Sequence, residues 1–281
     1  MTDKTLDEDV LRRWIGNTQS SQDRLHVEPA RLMQATLDRD PTLQDGDALP
    51  PAWHWLYFLS GAPMSQLGRD GHAAVGEFLP PVALPRRMWA GGRLAFEKPV
   101  VFGEEITKNS TIKDVVVKQG SSGKLCFVTV RHDYSGAGAD HRFSEEHDIV
   151  YREDPATDAP PPAPADPPSG SVGQVTITPS TVQLFRYSAL TFNSHRIHYD
   201  REYCQQVEGY PGLIFHGPLT ATLLADNAYH RHQDKVLKSF SFRAVAPLYD
   251  NQPFTIHHDG EQAIWAETPE GGLAMKATAT Y

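Results

Sequence analysis

Cysteine is scarce: Cys126 and Cys204 are the only two in 281 residues. Their spacing suits neither a zinc site nor a disulfide framework, so cross-links do not organise this chain. No apolar run reaches the roughly 18 residues of a membrane span, and no membrane partner is expected. A basic excess is missing too. Acidic residues outnumber basic ones 35 to 26, a formal net charge of −9. That balance argues against nucleic-acid binding through a general basic surface, while leaving room for a local patch that holds an anion. No Gly-x-Ser-x-Gly elbow, phosphate-binding glycine loop or dinucleotide fingerprint occurs. The opening MTDKTLDEDVLRRW is acidic and polar, unlike a secretory signal, so a cytoplasmic location is expected.

Proline, by contrast, is concentrated in one place. Residues 154–170 read DPATDAPPPAPADPPSG, which can neither continue a helix nor donate to a strand ladder. A semi-rigid linker over 154–172 is expected, dividing 1–153 from 173–281. On each side, helix-like sequence precedes strand-like sequence. In the first part, 4–16 and 28–38 read as helices. The aromatic run Trp53 to Leu59 reads as a buried helix, the counterpart of the longer helix in the second part. His54 within it reads as a satisfied core or interface histidine. Residues 64–90 read as a long loop of the kind that often binds ligands. Strands follow over 105–118, 125–134 and 142–151, with a hairpin signal at 120–123. In the second part, a strand over 171–178 and a helix over 179–190 come first. A helix from Gly217 follows, then strands over 236–245, 252–258, 263–267 and 273–281.

The chemistry is concentrated between Tyr187 and Leu224. One polar knot runs Asn193-Ser194-His195-Arg196-Ile197-His198-Tyr199-Asp200. Histidine is the usual proton-transfer group near neutral pH. The Asn193 amide can orient a water or an imidazole. Asp200 fits two roles, orienting His198 or capping a following helix. The second knot is Phe215-His216-Gly217-Pro218, where proline suits a first helical turn. Free N–H groups and the positive dipole end gather there, and Gly217 lets a ligand approach the backbone. Such a place can hold the oxygen of a polarised carbonyl. Taken alone it is an ordinary helix start. The two knots about 20 residues apart are more specific.

A His-Gly pair opening an apolar helix, after a motif of the form D-x4-H-x-D, resembles the MaoC-type hot-dog hydratases. Those enzymes act on enoyl thioesters of coenzyme A or acyl carrier protein. Here Asn193 stands where the usual motif has aspartate, with His198 and Asp200 in register. The run Leu190 to Asp200 resembles the branch holding the mitochondrial-type 3-hydroxyacyl-thioester dehydratases and the bacterial itaconyl-CoA and mesaconyl-C4-CoA hydratases. So do Leu49 to Phe58 and Leu84 to Gly92. The resemblance covers nearly the whole chain.

It implies an α+β double hot-dog, two repeats each with a long helix wrapped by an antiparallel sheet. The half 1–153 would be catalytically degenerate and supply pocket walls; the half 173–281 would carry the chemistry. The implied reaction is hydration of a short branched dicarboxylic acyl-CoA, a hydro-lyase activity. A 3-hydroxyacyl-thioester dehydratase of fatty-acid metabolism, or a non-catalytic acyl-CoA-binding protein, are the other readings. Asn193, His198 and Gly217 would be catalytic, supported by Asp200, His195 and His216. Substrate contacts are expected from Arg196, Arg87, Trp89, Gly91 and Gly92, one arginine pairing with the distal carboxylate. No metal and no cofactor are expected beyond the coenzyme A of the substrate. A homodimer is compatible with the sequence.

Overall fold

The structure is a computed structural model and describes residues 6–73, 75–120, 123–154, 163–232 and 234–281. The tip of the expected hairpin at 121–122 and the linker residues 155–162 lie outside the described residues.

The chain begins with α1 (Glu8–Arg12), β1 (Thr18–Arg24) and α2 (Val27–Thr36). Four long strands follow: β2 (Arg86–Phe96), β3 (Glu105–Gly120), β4 (Gly123–Ser135) and β5 (His141–Arg152). Past the proline-rich stretch come β6 (Gly173–Ile177), α3 (Thr181–Leu190), α4 (Arg201–Gln206) and α5 (Gly217–Arg231). Then β7 (Ser239–Ala244), β8 (Phe254–His258), β9 (Ala263–Glu267) and β10 (Leu273–Thr280) close the fold.

All strands join one ten-stranded sheet in the order β1-β3-β4-β5-β2-β7-β10-β9-β8-β6. Read from either edge, the order is a five-strand pattern meeting its own mirror image. The seam is the antiparallel pair β2–β7, from Gly91 opposite Arg243 to Ala95 opposite Ser239. This is the expected double hot-dog. Helix α5 lies on β7, β9 and β10. Its Leu219, Leu224, Ala225 and Ala228 are fully buried. Each buried leucine contributes roughly 1.5–3 kcal/mol, and the alanines let the helix sit close to the strands.

The two halves differ in their helices, which corrects one expectation. Trp53 to Leu59 is not a helix; Trp53–Leu56 make a single 3-10 turn. Ala52 and Phe58 take left-handed φ of 68° and 56° on either side of it. Non-glycine residues rarely adopt that conformation, and it cannot propagate a helix. The aromatic run is instead held by polar anchors. Trp53 Nε1 donates to Asp226 Oδ1 of α5 at 2.9 Å, while Trp55 Nε1 donates to Glu145 Oε1 at 2.8 Å. Asp226 also pairs with Arg39 at 2.8 Å, fastening α5 to the N-terminal half. Among the described residues the long hot-dog helix is therefore present only in the C-terminal half.

A second correction concerns residues 86–90, expected in a loop and found in β2. Gly91 and Gly92 are seam residues. A Cβ on Gly91 would lie 2.5 Å from the Phe242 carbonyl oxygen, and one on Gly92 would lie 2.9 Å from the Phe242 ring. Glycine here permits the close approach of β7. The edge strand β1 was not anticipated, and α4 was open only as the helix that Asp200 could cap. In β1, TQSSQDR is almost wholly exposed and shows no alternation to read. Of the helix expected over 4–16, residues 4–5 lie outside the described residues, and among the rest it is confined to Glu8–Arg12.

Candidate active site

Helix α3 ends at Leu190, and Phe192 turns the chain at φ 48°. Asn193 then folds the next residues back, its Oδ1 accepting from the His195 N–H at 3.0 Å. This is the local turn that asparagine side chains favour. A 3-10 turn over Arg196–His198 carries His198 inward, 6% exposed.

His198 is oriented by the backbone, not by Asp200. Its Nδ1 lies 2.8 Å from the Ile214 carbonyl oxygen. A carbonyl only accepts, so Nδ1 carries the proton and Nε2 keeps a free lone pair. Burial, assisted by His195, pushes the His198 pKa down to about 3. The ring is thus neutral at ordinary pH.

Asp200 is the N-cap of α4, accepting from Tyr203 N at 3.0 Å. Its other oxygen takes Arg196 Nε and Nη2 at 3.0 and 2.8 Å. Arg196 also lies over the Tyr203 ring, 4.0 Å from its centroid. Of the two roles open to Asp200, capping is the observed one. Arg196 is committed to that carboxylate, so its expected role as partner of a substrate carboxylate is corrected.

His216 backs His198. Its ring stacks on His198 at 3.7 Å and 19°, fully buried. Its Nε2 lies 2.8 Å from Ser188 Oγ. Burial drives its pKa well below the ordinary value, so it too stays neutral. Next to it, Gly217 begins α5, with Pro218 in the first turn. A Cβ on Gly217 would meet nothing within 4 Å, so open space adjoins this backbone position. A neutral imidazole with a free nitrogen and a helix N-terminus are thus placed side by side.

The expected loop over 64–90 contributes a group that the sequence did not single out. Asp70 Oδ2 lies 2.9 Å from His72 Nδ1, and the His72 N–H donates to Asp70 Oδ1 at 3.0 Å. Burial raises the Asp70 pKa, but His72 outweighs it and holds the carboxyl well below its usual range. The His72 ring lies 4.1 Å from that of His195, which stands 5.4 Å from His198. Burial, with help from His72, lowers the His195 pKa to about 3.

The loop is locked onto the turn that carries His198. Arg196 N donates to the Asp70 carbonyl at 2.9 Å and Ser194 Oγ to the Gly71 carbonyl at 2.6 Å. Gly71 has φ +89°, and a Cβ there would lie 2.1 Å from the Ser194 carbonyl oxygen. The sequence signal was Asp70-Gly71-His72 inside a long loop. Its partner lies over a hundred residues away, beyond local pattern.

Asp70, His72 and His195 each offer one atom, all within 4.8 Å of one another, and are the described residues best placed to hold a metal. Arg87 and Trp89 point from β2. Arg87 lies opposite Tyr151 of β5 and lines a cavity of about 160 Å³ with Asp70 and His72. Trp89 packs edge-on against Trp55, His147 and Phe242 at 4.8 to 5.0 Å. The structure thus brings Asn193, His195, His198, His216 and Gly217 together, with Arg87 approaching from the other half.

A profile of the family described as hydroxyacyl-thioester dehydratase type 2 matches residues 52–250. The chain is 44% identical over 273 residues to a protein of Chloroflexus aurantiacus named mesaconyl-C(4)-CoA hydratase, covering 94% of this chain and 95% of that one. Among solved structures it is similar to a MaoC-like dehydratase of Phytophthora capsici, with a TM-score of 0.71 at 11% identity, covering 98% of both chains. It is also similar to a protein of Mycobacterium tuberculosis described as a double hotdog fold. There the TM-score is 0.55 at 12% identity, covering 95% of this chain and 96% of that one.

Proposed function

We propose, from the premise that this chain belongs to the hydroxyacyl-thioester dehydratase type 2 family, that it hydrates a short branched dicarboxylic enoyl-CoA. It is a hydro-lyase, and mesaconyl-C4-CoA is the substrate favoured by the 44% identical relative. Itaconyl-CoA shares the same chemistry of a branched acyl group ending in a carboxylate.

One observation carries the mechanism. The Ile214 carbonyl fixes Nδ1–H of His198, leaving Nε2 bare beside the start of α5. His198 Nε2 takes a proton from water as its oxygen bonds to the β carbon. The C=C electron pair shifts towards the thioester, whose oxygen gains negative charge. The Gly217 N–H and the α5 dipole stabilise that charge. His198 binds protons weakly, so its new imidazolium passes the proton to the α carbon, completing addition of one water. Asn193, with Oδ1 occupied by His195 N–H, has its side-chain NH2 left to hold the water.

The N-terminal half 1–153 supplies walls and no base of its own, and 173–281 carries the chemistry. The reaction is redox-neutral and uses no cofactor beyond the coenzyme A of the substrate. Among the described residues no helix is long and apolar enough to cross a membrane. A cytoplasmic, homodimeric enzyme is the working picture.

Purified protein is to be assayed with enoyl-CoA and 3-hydroxyacyl-CoA panels, following loss or gain of the conjugated thioester. Preference for mesaconyl-C4-CoA is expected. Preference for straight-chain 3-hydroxyacyl thioesters would make it a general dehydratase. Absence of any turnover would leave an acyl-CoA-binding protein.

A further inference from the structure

The cavity beside Arg87 holds polar groups that the hydration chemistry leaves unused. It measures about 160 Å³, room for a few atoms, and has apolar walls that include Val82 and Leu84. Arg87 reaches it from β2 and, among the described residues, has no carboxylate within ion-pair distance. The other arginines of its strand differ: Arg86 is paired with Asp154 and Glu208, and Arg93 with Glu146 and Asp148. Across from Arg87 stands Tyr151, 2% exposed. Its buried hydroxyl lies against the Arg87 guanidinium, and its O–H has no acceptor among the described residues. Burial raises the Tyr151 pKa, and the neighbouring Arg87 charge opposes that shift. A neutral O–H donor therefore faces the same space as a guanidinium that has no carboxylate partner among the described residues.

Leaving a buried hydroxyl without a partner costs about 1–3 kcal/mol. That cost is removed if an acceptor enters. Asp70 also lines the cavity, but both its oxygens are taken by His72. The open donors are thus those of Arg87 and Tyr151. On the far side, His72 leads through His195 to His198.

We infer that this cavity is an acceptor subsite for the terminal carboxylate of a short acyl chain, held by the Arg87 guanidinium and the Tyr151 hydroxyl. The inference rests on the proposed acyl-CoA function and adds a reason for the dicarboxylic preference. Guanidinium matches a carboxylate with paired donors, and the hydroxyl adds a third. The apolar walls leave a methyl terminus tolerated but the donors unmet.

Two saturated thioesters of equal chain length separate the outcomes on the unaltered protein. Succinyl-CoA ends in a carboxylate and butyryl-CoA in a methyl group. Succinyl-CoA is expected to inhibit hydration at least about ten-fold more tightly. Arg87→Met should cut that preference, and the kcat/KM ratio of mesaconyl-C4-CoA to crotonyl-CoA, by roughly 10- to 100-fold. Tyr151→Phe should cut both by roughly 3- to 10-fold. Arg87→Lys should restore part of the loss. Equal inhibition by the two thioesters in the unaltered enzyme would overturn the subsite while leaving hydration intact. A preference that survives both Arg87→Met and Tyr151→Phe would also overturn it. Failure to hydrate any enoyl-CoA would instead remove the functional reading on which the subsite depends.

Discussion

Two buried histidine clusters sit in this molecule, one in each half, and they are built in opposite ways. In the N-terminal half, Glu145 is fully buried and receives donors at both oxygens. His54 and Tyr134 reach Oε2 at 2.9 and 3.1 Å; Trp55 and His147 reach Oε1 at 2.8 and 2.6 Å. Burial raises the Glu145 pKa, but the two histidines win and hold it well below the usual range. His132 packs edge-on against His147 at 4.7 Å and bonds to Ser110 Oγ at 2.7 Å. Each of these side chains is tied through one polar atom to Glu145 or Ser110, and the Glu145 carboxylate is taken at both oxygens. In the C-terminal half, the counterparts are left open. His198 spends one nitrogen on Ile214, and His216 Nδ1 has no partner among the described residues. A buried carboxylate taken at both oxygens fixes structure, whereas unpaired nitrogens in a frame without such a carboxylate are open to a ligand.

That contrast can be broken from either side, and the largest effect is expected at His198. His198→Ala should lower kcat by roughly 10²–10⁴ with an unchanged unfolding midpoint. His195→Ala should cost less, because His195 stands one ring further out. Steady-state kinetics beside urea unfolding checks both, and the reverse ranking would make His195 the base. Glu145→Ala should do the opposite, removing about 3–5 kcal/mol of stability by leaving buried donors without their acceptor. A Glu145→Ala protein of normal stability would mean that this cluster is not the structural one.

The lock between the halves should give the next largest effect. Gly71→Ala forces a side chain into a left-handed position against the Ser194 carbonyl. A loss of about 1–3 kcal/mol is expected, with kcat falling because the His198 turn shifts. Unaltered kinetics and stability would show that the loop is free of the catalytic turn.

The smallest effects concern pH. Folded His195 and His198 have pKa values near 3, against 6.5 when unperturbed. Below pH 6.5 the unfolded chain takes up protons that the folded protein cannot. Stability should therefore fall as pH drops from about 6.5 towards 3. Urea midpoints at pH 7 and 5 measure this, and His198→Ala should flatten the difference. Asn193→Asp keeps the acceptor for the His195 N–H and adds negative charge beside the rings. That charge favours imidazolium, so the acid limb of kcat/KM should move to higher pH. An acid limb that stays in place would separate Asn193 from the electrostatics of the base.

Much of this was legible in the chain. Helices α2, α3 and α5 and most strands follow from apolar period and from glycine and proline punctuation. His198 and Gly217 are read from local motif. The failures share one cause, a partner distant in sequence. Trp53 to Leu59 has helical composition, but Glu145 and Asp226 capture its indoles and imidazole. Asp200 could orient a histidine or cap a helix, and only the placement of Arg196 and Tyr203 decides. Asp70 and His72 look like ordinary turn residues until they meet the turn that carries His195.

The contact between Gly71 and Ser194 spans 123 residues of chain, and so bears on the order of folding. Contacts of such separation form late, after loop closure has been overcome. During synthesis the first half emerges carrying Asp70 and His72 with nothing to dock against. The base turn appears later and finds its final pose only against that waiting loop. Catalytic competence therefore reports completion of the whole chain, and recovery of turnover during refolding should lag behind recovery of strand structure.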